Sequence, residues 1–196
     1  ASIENARLGL TCLIVLAFLL MLGSAARYAA SPYALLAGPH DGGARGIERV
    51  SRHAFFAGVA LFAGAHTLLA TKLAGTVFFG GFALLAGFGA WHQDRKLLAL
   101  RGERYARFVA ATSAVPFAAI VAGRQRLAAR ELPWRHFVAA LLFAFWLRSV
   151  HASILSDGGA WFIGFVLGSA ALLTIDGLWR ARRAAGLRVA LDGSRP

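Results

Sequence analysis

The stretch AFFAGVALFAGAHTLLATKLAGTVFFGGFALLAGFGAW, residues 54–91, decides the fold. It contains two apolar runs, residues 54–71 and 73–91, with little more than Lys72 between them. Each run is close to the roughly 20 apolar residues that an α-helix needs to cross a bilayer. The pattern therefore predicts two membrane-spanning helices that form a tight hairpin.

The rest of the chain has the same apolar character. The 196 residues are 58% hydrophobic with a mean hydropathy of +0.61, more apolar than a soluble domain of this size. A short run at residues 108–122 contains Pro116 and is predicted to lie in the membrane interface or to re-enter the membrane. The predicted fold is all-α, a multi-pass transmembrane helical bundle of five spans plus this one short interfacial or re-entrant helix. It forms a single membrane domain with a basic tail at residues 180–196. The further predicted spans are residues 8–26, 137–155 and 160–179.

The distribution of cations predicts the orientation. The chain has 21 Lys+Arg against 9 Asp+Glu, a formal charge of +12, and the arginines concentrate in the loops and the tail. Because Lys and Arg mark the cytoplasmic side of a membrane, we expect a bacterial inner-membrane protein with its amino terminus outside and its carboxyl terminus inside. Anionic lipids on the cytoplasmic side are the expected partners. No basic stripe with interleaved aromatic residues lies on a soluble element, so no nucleic-acid partner is expected.

Two histidines, His66 and His151, lie inside apolar runs. In the predicted topology their helices run in the same direction, which places both imidazoles roughly 18–21 Å from the cytoplasmic edge. Two imidazoles at one level on different helices match the axial ligands of haem b. Arg148 lies one turn before His151 and could pair with a haem propionate, with Asp157 or with a lipid phosphate. In the alternative interpretation each histidine hydrogen-bonds a carbonyl or hydroxyl group and binds no cofactor.

A second group of polar residues flanks the hairpin at its base. Because the two runs form a hairpin, residues just before the first run and just after the second begin and end it together and could converge within side-chain reach. One interpretation is a structural network of ion pairs that holds the base of the hairpin. The other is a site for an anionic ligand or cofactor, because clustered arginines bind carboxylates and phosphates. The members are Arg52, His53, His92, Asp94 and Arg95, with Glu103 and Tyr105 nearby.

Several separated motifs resemble the NnrU family. They are GIERVSRHAFFAGVALFAGAHTLLAT, WHQDRK, RGERYARF and TSAVPFAAIVAGRQRL between Gly46 and Leu127, followed by LRSVHASI. The resemblance implies a multi-pass membrane protein with an accessory role in denitrification or related membrane redox metabolism. The plant zeta-carotene isomerase resembles the same block and uses haem b to isomerise a cis double bond. Its histidine ligand, in an Ala-His-Thr-Leu sequence, falls on His66, and its exchangeable cysteine falls on Ala63. Its other histidine has no counterpart here, so His151 is the predicted substitute as second iron ligand.

A more distant similarity links residues 52–58 to the isoprenylcysteine-type membrane methyltransferases. Their Arg-His-Pro-x-Tyr-x-Gly pattern falls on this segment, but Ala54 and Phe56 replace the proline and the tyrosine. Gln93 replaces the first of two paired glutamates. These changes remove polar contacts expected to hold S-adenosylmethionine, so the similarity implies a shared fold with the methyltransferase activity lost. No catalytic residue is assigned.

A third interpretation is structural. Gly164 and Gly168 form a GxxxG pattern, and small residues let helices approach closely in lipid. Such a surface packs helices within the chain, or it docks the protein as a small accessory subunit on a larger respiratory or photosynthetic complex. The neighbours would then include that complex and its pigments or quinone.

Overall fold

The computed structural model describes residues 2–26 and 43–156, together with residues 164, 168 and 175. The predicted span at residues 160–179 and the basic tail lie outside the continuously described residues. The chain divides into two compact units, Ala1–Phe145 and Trp146–Pro196. In the described part every regular element is helical: α1 (Ser2–Ala25), α2 (Ile47–Val50), α3 (Ala54–Leu69), α4 (Leu73–Ala111), α5 (Ala118–Val121) and α6 (Trp134–Ser156), with a 3-10 turn at Ala129–Glu131.

The all-α prediction is confirmed over the described residues, and the hairpin lies where the sequence predicts it. Two of the described helices are long and apolar enough to cross a membrane, Glu4–Ala25 with mean hydropathy 2.4 and Leu73–Ala111 with mean hydropathy 1.7. Helix α3 is also apolar, but it has only 16 residues. The complete five-span bundle stays a prediction.

Helices α1 and α3 cross in close contact because Gly58 has no side chain. A Cβ at this position would lie 2.7 Å from the carbonyl oxygen of Ala17 and 2.6 Å from Cγ of Met21. Small residues at a crossing bring two backbones together and increase their van der Waals contact, which drives helix association in lipid. Gly89 of α4 has a related role, since its Cβ would lie 2.7 Å from the Phe56 ring of α3.

Two loop segments, residues 43–53 and 112–133, pack together at the end of the bundle where α3 begins, and we call them the polar cap. Leu20 of α1 and Ala54 of α3 form a buried cluster with Ile47 and Val50 of α2, in the cap. Backbone hydrogen bonds join the two segments, from Arg52 N–H to the Ser113 carbonyl and from Phe117 N–H to the Val50 carbonyl, each 2.8 Å. The cap is therefore an ordered layer rather than a loose connection.

The prediction of one short helix over residues 108–122 is wrong. Residues up to Ala111 complete α4, the chain is then irregular, and a single helical turn follows at Ala118–Val121. Pro116 lacks an N–H group and disfavours helical geometry at the residue before it, so a continuous helix is interrupted here. Phe117 then adopts a left-handed conformation, with φ of 64°.

Candidate functional site

His66 lies near the carboxyl end of α3, with its ring packed against two aromatic side chains. The ring centroid is 4.1 Å from that of Phe62 and 4.8 Å from that of Phe79, which belongs to α4. Nδ1 of His66 is 2.9 Å from the carbonyl oxygen of Phe62, one helical turn earlier. The imidazole is therefore fixed in position by contacts from both helices of the hairpin.

The Phe62 contact determines which nitrogen of a neutral His66 carries the proton. A carbonyl oxygen only accepts, so Nδ1–H donates to it and the lone pair is on Nε2. Metal-ligating histidines commonly donate their other N–H to a backbone carbonyl in this way, which fixes the tautomer and the ring orientation. The donor chemistry of His66 would suit a ligand of haem iron.

The two other predicted haem-site residues, His151 and Arg148, are exposed on α6. They belong to the unit Trp146–Pro196, whereas His66 belongs to the unit Ala1–Phe145. The pairing of His66 with His151 stays a prediction.

Asp94 is the centre of the polar cluster at the base of the hairpin. Arg52 donates to it from Nε and Nη2, with a shortest distance of 2.7 Å, and Nε2 of His53 lies 2.8 Å from Oδ1. The hydroxyl of Tyr105 donates to the same Oδ1 at 2.6 Å. The side chains of Arg52, His53 and Asp94 are 13%, 2% and 15% exposed. We call this group the Asp94 node.

A break in α4 at Gly102 brings Tyr105 back to Asp94. In a continuous helix two residues 11 positions apart lie about 16 Å apart along the axis, too far for this hydrogen bond. Gly102 has φ of 54° and ψ of −137°, a conformation that is essentially restricted to glycine. A Cβ at Gly102 would meet no atom within 4 Å, so the backbone angles and not space require glycine here.

The electrostatics of the node keep Asp94 ionised. Burial by itself raises the pKa of Asp94, but hydrogen bonds from His53, Arg52 and Tyr105 outweigh it and hold that pKa well below its usual range. The carboxylate is therefore an acceptor near neutral pH and does not serve as a general acid there. The geometry matches the structural interpretation of this cluster, since Arg52 and His53 are directed at a carboxylate of their own chain.

His92 and Arg95 are not part of the node, although the sequence places them in the same group. Both side chains are exposed, and the guanidinium of Arg95 lies over the Trp91 ring, 5.1 Å from its centroid. Asp94 points towards α3, and its neighbours on the helix are rotated away from that face.

A second polar contact in the cap was not predicted from the sequence. Arg49 binds both carboxylate oxygens of Glu131, at 3.0 and 3.1 Å, and the Gly46 N–H donates to Oε2 at 2.9 Å. These bonds lower the pKa of Glu131 to about 2. Arg124 donates to the carbonyls of Ala110 and Thr112, which caps the end of α4. The available signals, an isolated glutamate and an arginine 82 positions earlier, do not identify such a pair.

An open apolar groove of about 610 Å³ lies between α1, α3 and α4. Leu13, Gly64 and Gly80 each line it, one from each helix, together with Thr67. Among the described residues, His66 does not line the groove. The groove and the histidine therefore lie on different sides of α3.

Comparison with known proteins shows which family the sequence resembles. The family described as NnrU protein matches residues 6–156. The 15-cis-zeta-carotene isomerase of Zea mays chloroplasts is 39% identical over 82 residues, which is 42% of this chain and 22% of that protein. The Arabidopsis thaliana isomerase of the same name is 40% identical over 83 residues, again 42% and 22%. The match thus covers less than a quarter of either plant protein, and no solved structure matches significantly. Since the family match covers more than half of the sequence, the chain belongs to the NnrU family.

Proposed function

We propose that this chain is a haem-b-binding membrane protein with an accessory role in respiratory nitrogen-oxide (denitrification) or related membrane redox metabolism. The observation that carries the proposal is the setting of His66. Its ring packs against Phe62 of the same helix and Phe79 of α4, and Nδ1 is engaged by the Phe62 carbonyl. An ionisable side chain within an apolar helix is a functional candidate by default.

The remaining described histidines suit this role less well. His53 is engaged by Asp94 in the node, and His92 is exposed beyond the apolar part of α4. His136 lies in the first turn of α6. His66 is the described histidine that combines an apolar helix with a carbonyl-bound Nδ1, and it is the proposed first iron ligand.

When bound, haem b supplies a one-electron centre whose potential the protein tunes through axial ligands and local polarity. His66 would hold the iron, and the Phe62 carbonyl would orient the imidazole and raise its basicity. Phe79 would restrict rotation of the ring and exclude water from it. From the sequence, His151 is proposed as the second ligand and Arg148 as the partner of a propionate.

The proposed topology has five spans in a bacterial inner membrane, with the amino terminus outside. The polar cap supports it, because the arginine-rich segments 43–53 and 112–133 pack on each other and so lie on one side of the bundle. Positive charge gathered at one end of a bundle is typical of the cytoplasmic face.

An absorption spectrum of the gently purified protein tests the haem proposal. A Soret band and a sharp α band on reduction are expected, lost in His66→Ala and retained in the control His92→Ala. His151→Ala should convert a six-coordinate low-spin spectrum to a five-coordinate one. Protein expressed with excess haem precursor that still lacks a Soret band would refute the proposal.

A second candidate is isomerisation of a cis double bond in a long polyene. The two plant relatives are named as carotene isomerases, and the groove between α1, α3 and α4 is apolar and open. A cis–trans isomerisation changes neither the composition nor the oxidation state of the substrate, so it needs no general acid or base. Reconstituted protein incubated with a 15-cis polyene should yield the all-trans product if this candidate is correct. Unchanged substrate with haem-loaded protein would exclude it.

The accessory role predicts a partner. In mild detergent the protein should co-migrate with a defined membrane complex, together with any quinone or pigment which that complex holds. Migration as a free protein under every gentle condition would count against this part of the proposal.

A further inference from the structure

The loop that joins α4 to α6 exposes large apolar side chains on a part of the chain that lies beyond the apolar helices. Val115 is 65% exposed, Phe117 39%, Val121 87% and Leu127 52%. Surface loops are normally polar, and scattered exposed apolar residues need no explanation. Here four are concentrated within 13 positions of one segment, and concentrated exposed apolar surface marks regions that contact a protein, a ligand or a membrane.

This loop is held rigidly in its conformation. The Ser51 hydroxyl donates to the Ala114 carbonyl at 2.8 Å, and two backbone bonds tie Ser113 and Phe117 to the other segment of the cap. Phe117 has φ of 64°, a strained conformation for an aromatic residue that persists only where the surroundings impose it. The apolar side chains are therefore exposed on an ordered segment that hydrogen bonds hold in one conformation.

Arginines are interleaved with the apolar residues. Arg124 is engaged in capping α4, so it is part of the framework. Arg126 and Arg130 are exposed, and within the described residues neither side chain takes part in the hydrogen bonds that hold the cap together. Trp134 follows, 57% exposed, with its indole N–H donating to the Ala129 carbonyl. Exposed tryptophan beside arginine is typical of the level where a membrane meets water.

We infer that residues 115–134 dock into the headgroup boundary of a leaflet that contains anionic phospholipids. Val121 and its apolar neighbours enter the acyl-chain edge, while Arg126 and Arg130 contact lipid phosphates. Charge complementarity favours this occupant, since the nearby Glu131 carboxylate is bound by Arg49 and offers little competition. The position at one end of the spanning helices places the patch where a bilayer surface must be.

Depth-resolved fluorescence tests the docking. A fluorophore attached at Val121→Cys, in a Cys12→Ser background, is placed in nanodiscs that contain lipids with a nitroxide on the upper acyl chain. Quenching several times stronger than for the same label at Glu103→Cys, an exposed position in α4, is the expected result. Equal quenching at both positions would overturn the inference.

The lipid class is tested separately by native mass spectrometry of the protein exchanged between phosphatidylglycerol and phosphatidylcholine. Retention of phosphatidylglycerol should fall by about fivefold for each of Arg126→Gln and Arg130→Gln, because one cation near an anionic surface contributes about that factor. Arg95→Gln, an exposed arginine over Trp91, is the matched control. Losses no larger than the control, or equal retention of the two lipids by the wild type, would refute the anionic preference.

A protein partner on the same surface would give a different result. The Val121→Cys label would then be quenched in nanodiscs of the purified protein but shielded from the lipid quencher in native membranes. That outcome would overturn the inference in favour of a docked subunit. Neither test depends on haem, so the result is independent of the proposed function.

Discussion

Replacement of Asp94 by asparagine should destabilise the protein by about 3 kcal/mol. The substitution keeps the size of the side chain but removes the charge that Arg52 and His53 share. Removing one partner of a buried ion pair costs about 3–5 kcal/mol, because the other charge stays buried without compensation. Asp94 retains 15% exposure, so we expect the lower end of that range.

The measurement is the free energy of unfolding in a titration with denaturing detergent, followed by far-UV circular dichroism. Glu103→Gln is the matched control, an exposed carboxylate in the same helix, and should stay within about 0.5 kcal/mol of the wild type. A loss below about 1 kcal/mol for Asp94→Asn would refute the conclusion that the node holds the base of the hairpin.

The difference in stability between wild type and Asp94→Asn should also depend on pH. The pKa of Asp94 is lowered in the folded state, so its stabilising effect is complete above the unfolded value of about 3.9 and is lost as the pH falls through the lowered value. The difference in stability between wild type and Asp94→Asn should therefore shrink as the pH falls below about 4. A difference that grows as the pH falls below that value would contradict this assignment.

The remaining predictions concern glycines and the second ion pair. Gly102→Ala should cost about 2 kcal/mol through backbone strain, while Gly87→Ala in the regular part of α4 should be neutral or stabilising, since neither Cβ meets an atom within 4 Å. Gly58→Ala should cost about 1–3 kcal/mol by separating α1 from α3, whereas Gly64→Ala should change the unfolding free energy little. Equal effects within either pair, measured by detergent unfolding, would refute these assignments. Glu131→Gln should lower the melting temperature near neutral pH, and this difference should disappear as the pH falls from about 4.5 through about 2. A difference in melting temperature that persists below that range would show that the charge of Glu131 does not stabilise the polar cap.

The base of the hairpin was predictable from the sequence because a tight turn fixes the register of two adjacent helices. With little more than Lys72 between the apolar runs, residues shortly before the first must meet residues shortly after the second. Arg52, His53 and Asp94 meet there. Spacing alone does not select the helix face, and His92 and Arg95 therefore lie outside the node.

The contribution of Tyr105 to the node was not predictable in the same way. It depends on the backbone angles at Gly102. The sequence does not distinguish a glycine that continues a helix, such as Gly87, from one at which the helix breaks, such as Gly102. The contact between Arg49 and Glu131 joins residues 82 positions apart, for which no local pattern exists. Hydropathy predicts one short helix over residues 108–122 because it does not report a left-handed residue such as Phe117.

The reach of the polar cap along the chain has a consequence for biogenesis. A ribosome releases the chain from its amino terminus, so α1, α3 and α4 leave the tunnel before Arg124 and Glu131, which cap α4 and bind Arg49. The hairpin must then enter the translocon with the carbonyls at its trailing end still exposed to water. We expect nascent chains that stop before residue 124 to insert normally yet to be cleaved by protease near Ala111, and chains that extend past residue 131 to resist it. If chains that end before Glu131 already resist the protease, the hairpin is stable without the 112–133 segment of the polar cap.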